Sequence, residues 1–128
     1  MSWFQTNPRK ADIRFSNYIR KKAGWKCEMC GKICKIGDTW VGKLDAAHYM
    51  SRRHEATRFD PRNVHALCAG DHRRVGGYTP SLTGEYDLWM IRQYGLTEVK
   101  KIILQAHGSQ RKDDTLTELY IKELEKDL

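Results

Sequence analysis

A chain of 128 residues with 40% hydrophobic and 30% charged side chains suits one compact domain with its own core. Its apolar runs are far too short to cross a bilayer, which excludes a membrane-spanning class, and Met1-Ser2-Trp3-Phe4-Gln5 lacks a basic stretch leading into an apolar one, so the expectation is a cytoplasmic protein without a cleaved secretion signal. The formal charge of +7 is unevenly spread: residues 113–128 hold six acidic against two basic side chains, which leaves +11 on residues 1–112 and a body suited to a polyanion.

The first predicted element is a helix over about Ala11–Ala23. Asp12 is placed to cap it, Ile13, Phe15, Tyr18 and Ile19 supply the apolar positions, and Gly24 stops it. The pair Cys27/Cys30 follows as C-x-x-C. Residues Thr39–Tyr49 read as a strand or hairpin interrupted by Gly42 and ending in His48. A polar loop, Ser51–Arg62, carries Arg52, Arg53, Arg58 and Arg62, and a short strand near Val64–Leu67 leads to Cys68. Ala69–Val75 is predicted as a short helix ended by Gly76-Gly77, which completes a strand, strand, helix unit.

Beyond it the chain reads as helical. Tyr86, Leu88, Trp89, Ile91 and Tyr94 recur at near-helical spacing up to Gly95. Thr97 is placed to cap a helix burying Val99, Ile102, Ile103 and Ala106. After a polar link, a last helix sets Leu116, Tyr120, Leu124 and Leu128 at i, i+4 spacing, a stripe expected to bury itself against the body or against a second copy in a homodimer. The fold class is therefore α+β: a domain over residues 1–112 with flanking helices, and an acidic C-terminal helix over 113–128.

In a reducing compartment Cys27, Cys30, Cys34 and Cys68 read as metal ligands or free thiols, not disulfides. Two residues between Cys27 and Cys30 permit a tight turn that brings both sulfurs to one structural Zn2+, and Cys68 is the natural third ligand. The fourth stays open among His72, Asp71 and Cys34. Four buried thiols are the plain alternative, and the Lys, Gly and Glu around the knuckle argue against it.

A second constellation carries chemistry. Hydrolysis of a phosphodiester requires a base to take a proton from water, and a neutral imidazole is suited to that near pH 7; His48 is the candidate. Asp45, Asn63 and His72 offer oxygen and imidazole ligands for a catalytic Mg2+ or Mn2+, and Asn63 has the alternative role of accepting the ring proton of His48. Arg52, Arg53, Arg58, Arg62, Arg73 and Arg74 are the expected phosphate contacts. Of the other histidines, His54 reads as a phosphate contact or surface residue, His65 as lining the site, and His107 as a helix C-terminal residue.

These residues also carry a likeness. C-x-x-C, then Asp45-Ala46-Ala47-His48-Tyr49 with Ser51-Arg52, then Arg58-Phe59, Asn63, His65 and Cys68, then Leu82-Thr83-Gly84-Glu85-Tyr86 and Tyr94-Gly95-Leu96 resemble the NinG/Rap recombination nucleases of lambda-like phages, within the HNH (His-Me finger) superfamily. The likeness covers about Trp25–Ala106 and is most specific from His48 to Cys68. It implies a zinc-stabilised ββα-metal core acting on DNA, branched recombination intermediates included, with His48 as general base, Asn63 as the central Asn and His72 as the final metal-site residue. The chain departs from the family at Asp71, where C-x-x-C is usual, and at Ala47, where many HNH nucleases carry a metal ligand that Asp45 would replace. The expectations are thus a metal-dependent DNA endonuclease or, alternatively, a zinc-stabilised DNA-binding module without cleavage.

Overall fold

The computed structural model describes residues 9–77 and 79–128. It is α+β, with six helices and two small antiparallel sheets among the described residues, and no described helix is long and apolar enough to cross a membrane. Helix α1 spans Lys10–Lys22. Asp12 is not its N-cap: Arg9 holds that position, and its backbone N–H donates to the Asp12 carboxylate at 2.7 Å from one turn ahead. Phe15, Tyr18 and Ile19 form the buried face of α1, as an i, i+3, i+4 spacing requires.

The chain leaves α1 through Gly24 and Trp25, both at positive φ, and enters the cysteine knuckle. Strands β1 (Lys35–Ile36) and β2 (Thr39–Trp40) make a two-residue hairpin ladder; β1 lay outside the sequence expectation because a strand of two residues has no readable period. Strands β3 (Leu44–His48) and β4 (Val64–Cys68) pair antiparallel, Leu44 opposite Cys68 and His48 opposite Val64. Every residue of β4 is buried. It is the inner strand of the domain, with α1 packed on both β3 and β4 and the knuckle stitched to it, Glu28 N–H donating to the Ala66 carbonyl at 2.8 Å and the Glu28 carboxylate accepting from Ala66 N–H at 2.6 Å.

Helix α2 (Glu55–Arg58) lies inside the long β3–β4 connection, and α3 (Ala69–Val75) follows β4 without a loop and packs on both strands. Gly76 ends α3 for a steric reason: a Cβ there would stand 2.7 Å from the His72 carbonyl oxygen, the group that accepts the Gly76 N–H at 2.8 Å. Helices α4 (Glu85–Tyr94) and α5 (Leu96–Ala106) meet at Gly95, whose φ of 85° lets one residue end one helix and begin the next. Met90, Val99 and Ile102 are buried beneath them.

Helix α6 (Asp114–Glu125) lies on α1. Its contact face matches the expected stripe in part: Leu124 packs against the core and Ile121, outside the stripe, is fully buried, while Leu116, Tyr120 and Leu128 stay exposed. Ion pairs join the helix to the α1 end of the chain, Arg14 to Glu125 at 2.6 Å and Arg9 to Asp114. The acidic helix thus meets the basic face of α1.

Asp12 and Arg58 form a buried bidentate pair, Nε to Oδ1 at 2.8 Å and Nη2 to Oδ2 at 2.5 Å. Burial alone would raise the Asp12 carboxyl, but hydrogen bonds from Arg58 and the Arg9 backbone, with the charges of Arg58 and Arg52, hold it below its ordinary value. Loss of one partner strands the other charge in the core, so Arg58→Ala is expected to lower the unfolding free energy by about 3–5 kcal/mol in urea titrations. Because the folded carboxyl is the stronger acid, its contribution is present above about pH 4 and should fade as pH drops through the folded value.

Candidate functional site

Four side chains converge where the knuckle meets the β4–α3 junction. The Sγ atoms of Cys27, Cys30 and Cys68 and a carboxylate oxygen of Asp71 all lie within 4.8 Å of one another, close enough to bind a metal ion. Cys68 is both the last residue of β4 and the N-cap of α3, so the helix begins at a ligand and delivers Asp71 one turn later. One separation falls at the edge length of a tetrahedral site. Thiolates about 2.3 Å from one ion stand about 3.8 Å apart along a tetrahedron's edge, and Cys30 Sγ to Cys68 Sγ is 3.8 Å. Cys27 Sγ lies 3.2 Å from Asp71 Oδ2.

The electrostatics agree with that chemistry. The Lys32 backbone favours the Cys30 thiolate, but Asp71, burial and the neighbouring thiols outweigh it and push the thiol up to about 12. Arg74, with Cys30 and Cys27, holds Asp71 down at about 2. The Asp71 carboxylate opposes ionisation of the Cys30 thiol until a cation balances the two. Among the three open possibilities for the fourth ligand, geometry selects Asp71. Cys34 is fully buried with its thiol directed to the Lys32 and Lys43 carbonyls, 3.7 and 3.6 Å away, and His72 points elsewhere.

His72 pairs with Asp45. Its Nδ1 lies 2.9 Å from Asp45 Oδ2, both side chains being partly exposed. That separation is a hydrogen-bond distance. Lys43 Nζ, 3.8 Å from Asp45 Oδ1, is the nearest cation.

His48 closes β3. Its Nε2 lies 3.0 Å from the Arg58 carbonyl oxygen. A carbonyl can only accept, so Nε2 carries the proton and Nδ1 keeps its lone pair. Burial, only partly offset by the Arg58 carbonyl, lowers its pKa from 6.5 to about 4, with Arg52 adding to the depression. His48, Tyr49, Arg74, Gly76 and Glu85 line a cleft of about 250 Å³, and the His72 ring comes within 3.5 Å of the Gly76 Cβ position. Asp45 and His48 alternate to opposite faces of β3, and the lining of this cleft includes neither Asp45 nor His72.

Several expected site residues turn out to have other duties. Asn63 is fully buried; its Oδ1 accepts from Met50 N–H at 2.7 Å and its Nδ2 donates to the Met50 and Thr57 carbonyls, each at 3.0 Å. Its amide therefore neither receives the His48 proton nor faces a metal. It closes the ends of the β3–β4 connection, and the proton goes to Arg58. The connection is too tightly turned for the amide to reach outward. His65 does not line a site: it lies in the core between Tyr86 Oη at 3.1 Å and Tyr94 Oη at 2.8 Å, and burial lowers its pKa to about 3. His54 reaches the Ala106 carbonyl at 3.0 Å, while His107 is the C-cap of α5, the helix C-terminal place its sequence position indicates.

The arginines divide the same way. Arg58 is locked to Asp12, Arg62 to Asp60 and Glu98, and Arg74 to Asp71 and Glu85, because each lies beside a carboxylate that another element supplies. No ion pair among the described residues engages Arg52, Arg53 or Arg73, and Arg53 and Arg73 are exposed. The Asp12–Arg58 pair had no signal in the sequence, the two residues being 46 apart. Tyr86 and Tyr94, two helical turns apart on one face of α4, did carry one. No family model matches this chain, and no curated protein or solved structure matches it either.

Asp71→Ala is expected to lose bound metal in elemental analysis after purification, whereas Cys34→Ser and His72→Ala should retain it at the knuckle; equal retention in Asp71→Ala would remove Asp71 from the ligand set. For the histidines, heteronuclear NMR should find His48 with its proton on Nε2 and a titration midpoint near 4. Since His48 and His65 resist protonation in the folded state only, the unfolding free energy should decline as pH falls from about 6.5 toward 4. A flat profile in denaturant titrations across that range would contradict both environments.

Proposed function

We propose that this chain is a metal-dependent endonuclease of the HNH type that hydrolyses DNA phosphodiester bonds, with Zn2+ held by Cys27, Cys30, Cys68 and Asp71. The observation that carries the reading is the placement of His48, an imidazole that lines a cleft and is fixed in one tautomer by a backbone carbonyl. The three-thiolate, one-carboxylate set supports zinc as the structural ion, because sulfur ligands at a tetrahedral separation suit it better than a hard cation.

The chemistry follows from these positions. A lowered pKa keeps His48 unprotonated at neutral pH, so Nδ1 is ready to take the proton of a water attacking phosphorus. The Arg58 carbonyl stabilises the imidazolium that forms, by accepting from Nε2. Mg2+ or Mn2+, when bound at Asp45 and His72, supplies charge stabilisation at the phosphate and the leaving oxygen. Arg52, whose charge already reaches His48, together with Arg53 and Arg73, offers the unpaired cations for neighbouring phosphates. Asn63 acts at a distance, holding the connection that carries Arg58.

The second reading, a DNA-binding module without cleavage, draws on Ala47. It is buried at 1% exposure and supplies no ligand beside the base. Supercoiled plasmid incubated with Mg2+, Mn2+ or EDTA separates the two, metal-dependent nicking being expected. His48→Ala should keep the fold, zinc and DNA affinity while lowering nicking by roughly two to four decades; undiminished nicking by that purified variant would remove His48 from the mechanism.

A further inference from the structure

The hairpin that follows the knuckle carries an outward face that the cleavage cleft does not use. Cys34 points inward and is fully buried, so strand alternation turns Ile33 and Lys35 outward. Lys35 stands directly across from Trp40 in the β1–β2 ladder. Trp25 meets Trp40 edge to face, ring centroids 5.6 Å apart at 90°, and Lys35 Nζ lies 4.2 Å from the Trp25 centroid and 5.3 Å from that of Trp40. These are surface groups: Trp40 is 50% exposed and Ile33 49%. A bulky residue at positive φ is uncommon, yet Trp25 holds φ 62°, fixed by its N–H to Arg20 O at 3.0 Å and its carbonyl accepting from Cys34 N–H at 2.9 Å.

The charge around this face selects its occupant. Residues 20–43 hold seven basic side chains against two acidic ones, and one of the acids, Glu28, is engaged by the Ala66 N–H. Lys21, Lys22, Lys26, Lys32 and Lys43 are exposed. An apolar protein partner would leave these cations unanswered, whereas duplex DNA would answer them but hide its bases from the indoles. A polyanion with accessible aromatic faces satisfies both. The face also continues into the site, since Trp40 and Asp45 are five residues apart and so within about 17 Å along the chain.

We propose that the Trp25, Lys35 and Trp40 face is a second DNA-binding surface, one that takes unpaired nucleotides by stacking a base on the exposed indole of Trp40 while the surrounding lysines hold the backbone. It rests on the reading that the chain binds DNA, but not on cleavage. Lys35 occupies in the free protein the place a base takes in the complex, and can then turn to a phosphate.

Binding of a fluorescent mixed-sequence 20-nucleotide single strand and of its duplex, read by anisotropy at one fixed salt concentration, tests this. Trp40→Ala is expected to weaken single-strand binding about five- to a hundred-fold, the usual effect of removing one stacking partner, with duplex affinity within about twofold and Trp40→Phe recovering most of the loss. In the wild type, where folding is not in question, the indole N–H resonances of Trp25 and Trp40 should move on titration with the strand while that of buried Trp89 stays. Unmoved resonances, unchanged single-strand affinity, or equal loss for strand and duplex in a folded, zinc-loaded Trp40→Ala would each overturn the stacking surface while leaving the nuclease reading standing. A wild type that binds neither strand nor duplex would overturn both.

Discussion

Cys68 is the residue on which the arrangement turns. As the last residue of β4 it is paired with Leu44, as the N-cap it starts α3, and its thiol belongs to the cluster with Cys27, Cys30 and Asp71. One residue therefore fixes the strand pair, the helix that carries His72 and the knuckle to a single point. A metal ion bound there would contribute folding free energy directly, because no such set of ligands exists in the unfolded chain. The hairpin bearing Trp40 and Lys35 hangs from the same knuckle, so the proposed stacking face and the cleft share one anchor.

The long β3–β4 connection would ordinarily be the mobile part of such a unit. It is held instead by buried polar groups whose partners are all accounted for. Asn63 ties its two ends and the middle, and Arg58 is drawn onto α1 by Asp12. Both are costly to bury and would be costlier to break. The result is a backbone carbonyl at Arg58 aimed at His48, so the orientation of the proposed base is set by a pair of charges that never approach the substrate. Three arginines that read as phosphate contacts, Arg58, Arg62 and Arg74, are held by carboxylates, and among the described residues no ion pair engages Arg52, Arg53 or Arg73.

The C-terminal helix is held by both apolar and charged contacts. Its i, i+4 stripe predicts one buried face, and Leu124 of that stripe packs inward beside Ile121, which lies outside it, while Leu116 and Tyr120 stay at the surface. The acidic residues at the two ends of the helix pair with Arg9 and Arg14, so the packed face also brings opposite charges together.

What the sequence determined by itself were the local quantities. The α+β class, the extent of α3 over Ala69–Val75, the strand ending at His48 and the strand leading to Cys68, and the grouping of Cys27, Cys30 and Cys68 close enough to bind a metal ion were legible, because periodicity, glycine stops and the reach of C-x-x-C depend on residues close in the chain. The tertiary structure alone decided which of Asp71, His72 and Cys34 completes that cluster, whether Asn63 faces outward, and which arginines are free. Those outcomes depend on contacts such as Asp12 with Arg58, made across 46 residues, and the partner of a buried charge is settled by which elements pack together, something no local pattern encodes.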